Sequence, residues 1–293
     1  MLPDSKLLFL RQALFAKLMQ LTRRSSPSRF HTPMHFSELL PWMIDVTLVA
    51  YPLSGLNWLR HVILIAAENH ATAATNGVKS YGELRSQFPF LPTLCFSHAG
   101  SSWQHRMLNE NDMRSYSPGE WVRSPRVIFI SRDPREVLAA TYHDLRTHFN
   151  FHHIGPADMV DNNIVGVRKM ASFVGRWQRW CKDNPDCLDV RYHDLRSDCA
   201  TQLMRISEFC NFGFSDRTVE VACKVAALDS AHTTNAQGHS APIRSETFLI
   251  NNGRSNGQAT PRAQTFDELF SKSQIVQIES VLRDELDGDM TWS

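Results

Sequence analysis

The sequence predicts an α/β fold, a central and mostly parallel sheet of four or five strands flanked by helices. Three observations carry that expectation. Short apolar, β-branched runs end abruptly at polar or Gly/Pro-containing turns and give way to helical patterns, as in βα units. The residues that follow those runs are hydroxyl, imidazole and guanidinium groups, the kind found where open parallel sheets bind ligands at the carboxyl ends of their strands. A length of 293 residues with 42% hydrophobic and 21% charged residues is enough to bury the core of one large α/β domain.

In chain order, Leu7–Leu10, Leu14-Phe15, Leu18-Met19 and Leu21 recur at helical spacing between basic residues, giving an amphipathic helix. It suits packing on its own domain, on a second copy in a homodimer, or on a membrane surface. Ser25–Ser28 reads as a linker, so residues 1–35 form an N-terminal helical extension and linker and residues 36–293 the main domain. Ile44–Tyr51 then reads as a buried strand, Pro52-Leu53-Ser54-Gly55 as a tight loop, and Asn57–Ala67 as a helix. A loop of this kind gathers unpaired backbone N–H groups at a helix N-terminus, where anions bind.

A polar connection, about Asn69 to Gln87, leads to a second strand over Phe90–Ser97 with His98 at its carboxyl end. Arg126–Ser131 is a third strand. It runs into a helix begun by Asp133 as N-cap, Pro134 at the first helical position and Glu136 as the return arm of a capping box, with Arg132 on the turn. An Arg fork beside a helix N-terminus suits phosphate. Phe173, Trp177 and Trp180 read as core residues of a long helix, Leu188–Tyr192 as a fourth strand followed by a turn at His193-Asp194, and Ala200–Asn211 as a helix. Residues 238–264 turn to Ser, Asn, Gly, Arg and Thr, and Asn251–Gly257 could wrap an anion. Ser273–Leu286 is a final amphipathic helix.

Composition excludes several classes. Lys plus Arg (31) nearly cancels Asp plus Glu (30), so no basic surplus points to nucleic acid. No apolar stretch approaches the length of a transmembrane segment. The histidines around His143, His148, His152 and His153 lack metal-ligand spacing, and no metal site is expected. Cys95, Cys181, Cys187, Cys199, Cys210 and Cys223 form no CxxC pair and read as reduced thiols of a cytoplasmic protein.

The order of the motifs is more specific than any one of them. Tyr51-Pro52-x-Ser54-Gly55-x-x-Trp58-Leu59-Arg60 resembles the 5′-phosphosulfate loop of the PAPS-dependent sulfotransferases, whose architecture is P-loop-kinase-like. Ser97-His98 resembles that family's catalytic strand end, and Arg132-Asp133-Pro134-Arg135-Glu136-Val137 its 3′-phosphate motif. Phe173-x-x-x-Trp177-x-x-Trp180 and Val190-Arg191-Tyr192-x-Asp194-Leu195-x-x-Asp198 are similar to its later core and adenine-side segments. The resemblance implies transfer of a sulfuryl group from 3′-phosphoadenosine 5′-phosphosulfate (PAPS) to a small hydroxyl or amine acceptor, a natural product among the candidates. It implies 3′-phosphoadenosine 5′-phosphate (PAP) as the product and His98 as the general base.

By the same resemblance Leu53, Ser54, Gly55, Leu56, Asn57 and Trp58 hold the 5′-phosphate end, with Trp58 and Tyr192 at the adenine. Arg132, Gly253 and Arg254 meet the 3′-phosphate. Three positions depart from the pattern. Leu53 and Phe96 stand where cations are usual, and Ala140 stands where a serine is expected. Two other readings stand beside this one: a nucleotide-binding module without transfer activity, and a P-loop nucleotide kinase, which the loop's missing Gly-Lys-Ser/Thr disfavours.

Overall fold

Four strands form the sheet of this computed structural model, which describes residues 44–71, 81–101, 110–122, 124–237 and 264–286. They are β1 (Val46–Ala50), β2 (Leu94–Ser97), β3 (Arg126–Ser131) and β4 (Cys187–Arg191), arranged in the order β2-β1-β3-β4 with every pairing parallel. β1 is paired on both sides and all five of its residues are buried. Its near-continuous apolar sequence is what a central parallel strand requires. β2 begins four residues later than Phe90, the expected start; Pro92 can donate no ladder hydrogen bond, and Phe90 lies exposed in the preceding turn.

Register decides where the site lies. Val49 pairs with Ser97 and Phe129, Ala50 with Ile130, and Ser131 with Arg191, so the four strands end at one edge. The next residues in the chain, Tyr51–Gly55, His98, Arg132 and Tyr192, therefore leave the sheet together.

The alternation of strand side chains separates two cores. Leu48, Ala50, Ile128 and Ile130 face one side, packed with α1 (Leu56–His70), α2 (Tyr81–Gln87), α9 (Cys199–Cys210) and α10 (Asp216–Gln237). Val49, Val127 and Phe129 face the other, packed with α5 (Pro134–Thr147), α6 (Pro156–Asp161), α7 (Val167–Asp183) and α12 (Lys272–Glu285). Trp177 is the anchor of this second core, fully buried and stacked on Phe129 with ring centroids 5.6 Å apart. Short helices α3 (Glu110–Arg114), α4 (Pro118–Trp121), α8 (Tyr192–Ser197) and α11 (Phe266–Leu269) complete the described chain.

The α10 helix has no counterpart in the sequence-based expectation. The residues it buries, Val219, Ala222 and Ala226, are small and let α10 lie close against α1, while the exposed Val221, Val225 and Leu228 blur the apolar stripe. Ser215 caps it through Thr218 N–H (3.2 Å).

Three local expectations need correction. Asp133 is the N-cap and accepts from Arg135 N–H (2.9 Å), but the Glu136 carboxylate bonds Arg132 instead of closing a capping box. Tyr192 belongs to no strand: it opens α8, which occupies the expected turn at His193-Asp194. The cysteines are not all reduced. Cys181–Cys187 and Cys199–Cys223 are disulfides, with Cα–Cα separations of 4.9 and 5.9 Å, so cysteine usage no longer argues for a cytoplasmic setting. Sequence spacing could not reveal these pairs, because the α7–β4 turn and the packing of α9 on α10 bring the partners together. The free thiols of Cys95 and Cys210 are pushed up by burial, to about 11 and about 12.

Among the described residues no helix is long and apolar enough to cross a membrane, and no group of His, Cys, Asp and Glu could hold a metal ion. The expected N-terminal helix and linker, the polar loop with Gly253 and Arg254, and residues 36–43 at the expected start of the main domain lie outside the described residues.

Candidate active site

The loop after β1 carries two left-handed residues, Leu53 (φ 68°) and Gly55 (φ 98°). A left-handed leucine costs about 1–2 kcal/mol, so something must hold it. Arg132 does: its Nη1 donates to the Leu53 carbonyl (3.0 Å), while its Nε pairs with Glu136 (2.8 Å) and its guanidinium lies 4.9 Å from the Tyr192 ring centroid. The β3–α5 turn thus grips the β1–α1 loop directly. Gly55 is required twice over, for its φ and because a Cβ there would overlap the Tyr192 ring.

Ser54 N–H closes the turn on the Tyr51 carbonyl (3.1 Å), which removes it from the expected set of anion donors. The donors that remain are those of Gly55, Leu56, Asn57 and Trp58. They have no carbonyl one helical turn back, and α1 has neither a side-chain cap nor an acid in its first turn. The positive end of α1 is accordingly open to an anion.

Trp58 stands edge-on to Tyr192 (6.4 Å) with the Arg196 guanidinium 5.1 Å from its ring centroid. The buried donors Trp58 Nε1 and Tyr51 Oη have no hydrogen-bond partner among the described residues. A loop with open N–H groups, flanked by aromatic rings and an arginine, fits a nucleotide's phosphate and base. Burial also raises the Tyr51 hydroxyl pKa strongly, so it stays protonated.

His98 follows β2 directly. Its Nδ1 lies 2.8 Å from the Ala50 carbonyl, the last residue of β1. A carbonyl can only accept, so Nδ1 carries a proton and donates it, which makes Nε2 the nitrogen that could serve as a base. Two residues earlier, on the same face of β2, the Phe96 ring lies under the Arg60 guanidinium (5.4 Å). A guanidinium from a neighbouring element thus lies against the side chain at position 96, where the sequence lacks the usual cation.

Leu53, Ser54, Gly55, Leu56, Asn57, Trp58, His98, Arg132 and Tyr192 are all brought to the carboxyl edge of the sheet. Ala140 is in α5, one face of which packs into the second core. Sequence reasoning missed Lys169, which is completely buried on α7 and donates to the Ser101 carbonyl (3.0 Å) just beyond His98. A lysine four and eight residues before Phe173 and Trp177 on a core face was the available signal. In the histidine cluster, His148 pairs with Asp144 (2.9 Å), which raises its pKa, and His143 Nε2 lies 3.0 Å from the distant Gln264 carbonyl.

Comparison with known proteins points the same way. Residues 43–288 match the family described as "Sulfotransferase domain". Sulfotransferase 6B1 of Danio rerio is 23% identical over 179 residues, which are 60% of this chain and 59% of the relative; the chain thus spans under two thirds of that relative's length. Among solved structures, mouse sulfotransferase SULT7A1 complexed with PAP superposes with a TM-score of 0.50 at 15% identity, covering 83% of this chain and 84% of its own. Retinol dehydratase in complex with androsterone and inactive cofactor PAP gives 0.53 at 14% identity, covering 87% and 84%. Identities this low establish the fold, a parallel sheet flanked by helices with a P-loop-like corner.

Proposed function

Because the chain belongs to the sulfotransferase-domain family, we propose that it moves a sulfuryl group from PAPS to a hydroxyl or amine of a small acceptor, such as a natural product. The observation that carries this reading is the convergence of the loop at Gly55, the imidazole of His98 and the guanidinium of Arg132 at one sheet edge. The donor supplies a sulfuryl group on a good leaving group. This chain's residues bind it, orient it and move one proton.

In the proposed reaction the His98 Nε2 lone pair takes the acceptor's proton as the new O–S or N–S bond forms. The bond from sulfur to the 5′-phosphate oxygen breaks, and its electron pair leaves with PAP. The resulting imidazolium keeps its Nδ1 bond to Ala50, which needs no tautomer change during the step. The N–H groups of Gly55 to Trp58, with the Ser54 and Asn57 side chains, hold the 5′-phosphate. Arg60 supplies the cation for the charge that grows there, the role left open by Leu53 and Phe96. Arg132 reaches the 3′-phosphate with the donors that its bonds to Glu136 and Leu53 leave over. Trp58 and Tyr192 flank the adenine, and Gly253 and Arg254 close on the 3′-phosphate.

Calorimetric titration with adenosine 3′,5′-bisphosphate tests the donor assignment. Micromolar binding supports it and absence of binding overturns it. Leu53 and Phe96 favour one rival, a protein that binds nucleotide without transfer. Labelled donor that goes to no member of a broad hydroxyl and amine panel would put that rival ahead.

A further inference from the structure

The turn after β2 is strained, and part of what holds it comes from the opposite helix layer. Ala99 (φ 46°) and Gly100 (φ 81°) are left-handed in succession immediately after His98. Strain of this kind persists at functional sites where the surroundings over-determine the backbone. Here they do. The His98 carbonyl accepts from Ser101 N–H (2.8 Å) and from Ser101 Oγ (2.6 Å). The Ala99 carbonyl accepts from Tyr116 OH (3.0 Å), itself the acceptor for Trp177 Nε1–H (3.0 Å). The Ser101 carbonyl accepts from Lys169 Nζ (3.0 Å).

Lys169, Phe173 and Trp177 stand four residues apart on one face of α7, and two of the three bond into this clamp. Lysine is almost never fully buried unless it is paired, yet Lys169 is 0% exposed. A methionine would fill the same volume without the cost of burying an ammonium. Packing alone therefore does not explain the residue. Burial drives its pKa down to about 7, against an opposing pull from Asp112 on α3.

We propose that Lys169 is a positioning residue for His98: by fixing the Ser101 carbonyl it completes the clamp on the Ser97–Ser101 turn and so holds the imidazole against the Ala50 carbonyl. The consequence for catalysis rests on the reading of His98 as the base; the geometry itself does not. Removing the donor loosens the turn at one of its bonds, frees the backbone that carries His98 and weakens the 2.8 Å hydrogen bond from Nδ1–H to the Ala50 carbonyl.

The test is nitrogen NMR of protein labelled at its histidines, with the His98 signals identified by their loss in His98→Gln. Wild type should show a protected Nδ1–H proton. In Lys169→Met that signal should be lost to solvent exchange, while affinity for adenosine 3′,5′-bisphosphate is unchanged. Lys169→Gln, which keeps an N–H donor, should restore it. A signal that persists in Lys169→Met, or that Gln fails to rescue, overturns the proposal. Should Lys169→Met not fold, Ser101→Ala takes its place, since it removes another bond of the same turn; a persisting signal there overturns the coupling. Failure of wild type to bind the bisphosphate would instead overturn the donor assignment and leave the His98 signal as an independent readout.

Discussion

Arg132→Ala separates two tasks that this residue performs at once. In the structure it pins the strained Leu53 carbonyl (3.0 Å) and lies over Tyr192; in the proposed reaction it also meets a 3′-phosphate. Its side chain is a quarter exposed, so the Leu53 bond is worth about 1 kcal/mol after solvent screening. Losing that grip should weaken every ligand of the loop about fivefold. A charge-assisted pair of bonds to phosphate adds about 1.5–3 kcal/mol, roughly another 10- to 150-fold, but only for ligands that carry a 3′-phosphate. The assay is calorimetry of wild type and Arg132→Ala with two ligands, adenosine 3′,5′-bisphosphate and adenosine 5′-monophosphate. The expected losses are about 50- to 750-fold for the first and about fivefold for the second. Equal losses would refute the 3′-phosphate contact and leave Arg132 as a loop anchor alone.

Further outcomes follow from the same geometry. His98→Gln should keep bisphosphate affinity and lower turnover about 100- to 10,000-fold, measured with labelled donor; unchanged turnover would remove His98 as base. Gly55→Ala forces a left-handed alanine into the Tyr192 ring and should both lower the melting temperature and abolish measurable bisphosphate binding. Arg60→Met should lower turnover about 100-fold, within the range for a preorganised charge, and leave bisphosphate affinity nearly intact; an unaltered rate would return the leaving-group role to the helix dipole. Lys169 gives a pH signature. Its folded pKa of about 7 lies below the ordinary lysine value of 10.5, so above pH 7 the unfolded chain holds a proton that the folded chain releases, and stability rises with pH. Relative to Lys169→Met, whose background cancels the buried thiols and tyrosines, wild type should gain about 1.5 kcal/mol between pH 7 and 8.5 by denaturant unfolding. A flat difference would show that the ammonium is not buried as drawn.

The parts of the protein readable from sequence are those with local causes. Val46–Ala50 and Arg126–Ser131 are β-branched runs that need no partner to be recognised, and Asp133-Pro134 announces the start of α5 by its own chemistry. The glycine after Leu53-Ser54 marks the loop because only such a residue turns there without strain. His98 and Arg132 stand out because they directly follow those strands, and parallel strands in register put their ends at one edge.

What the chain alone leaves open depends on which distant side chains meet. The disulfides Cys181–Cys187 and Cys199–Cys223, the seating of Arg60 on Phe96 and the grip of Arg132 on Leu53 all join different elements. So does the reach of Lys169 to Ser101, across 68 positions of sequence. Helix α10 belongs with them, since its small residues acquire meaning only against α1. Local sequence determines which elements form and where each begins, through propensity and capping that act over a few residues. Which side chains meet is decided by packing, because the guanidinium that lies against Phe96 comes from another element and no spacing rule encodes its position.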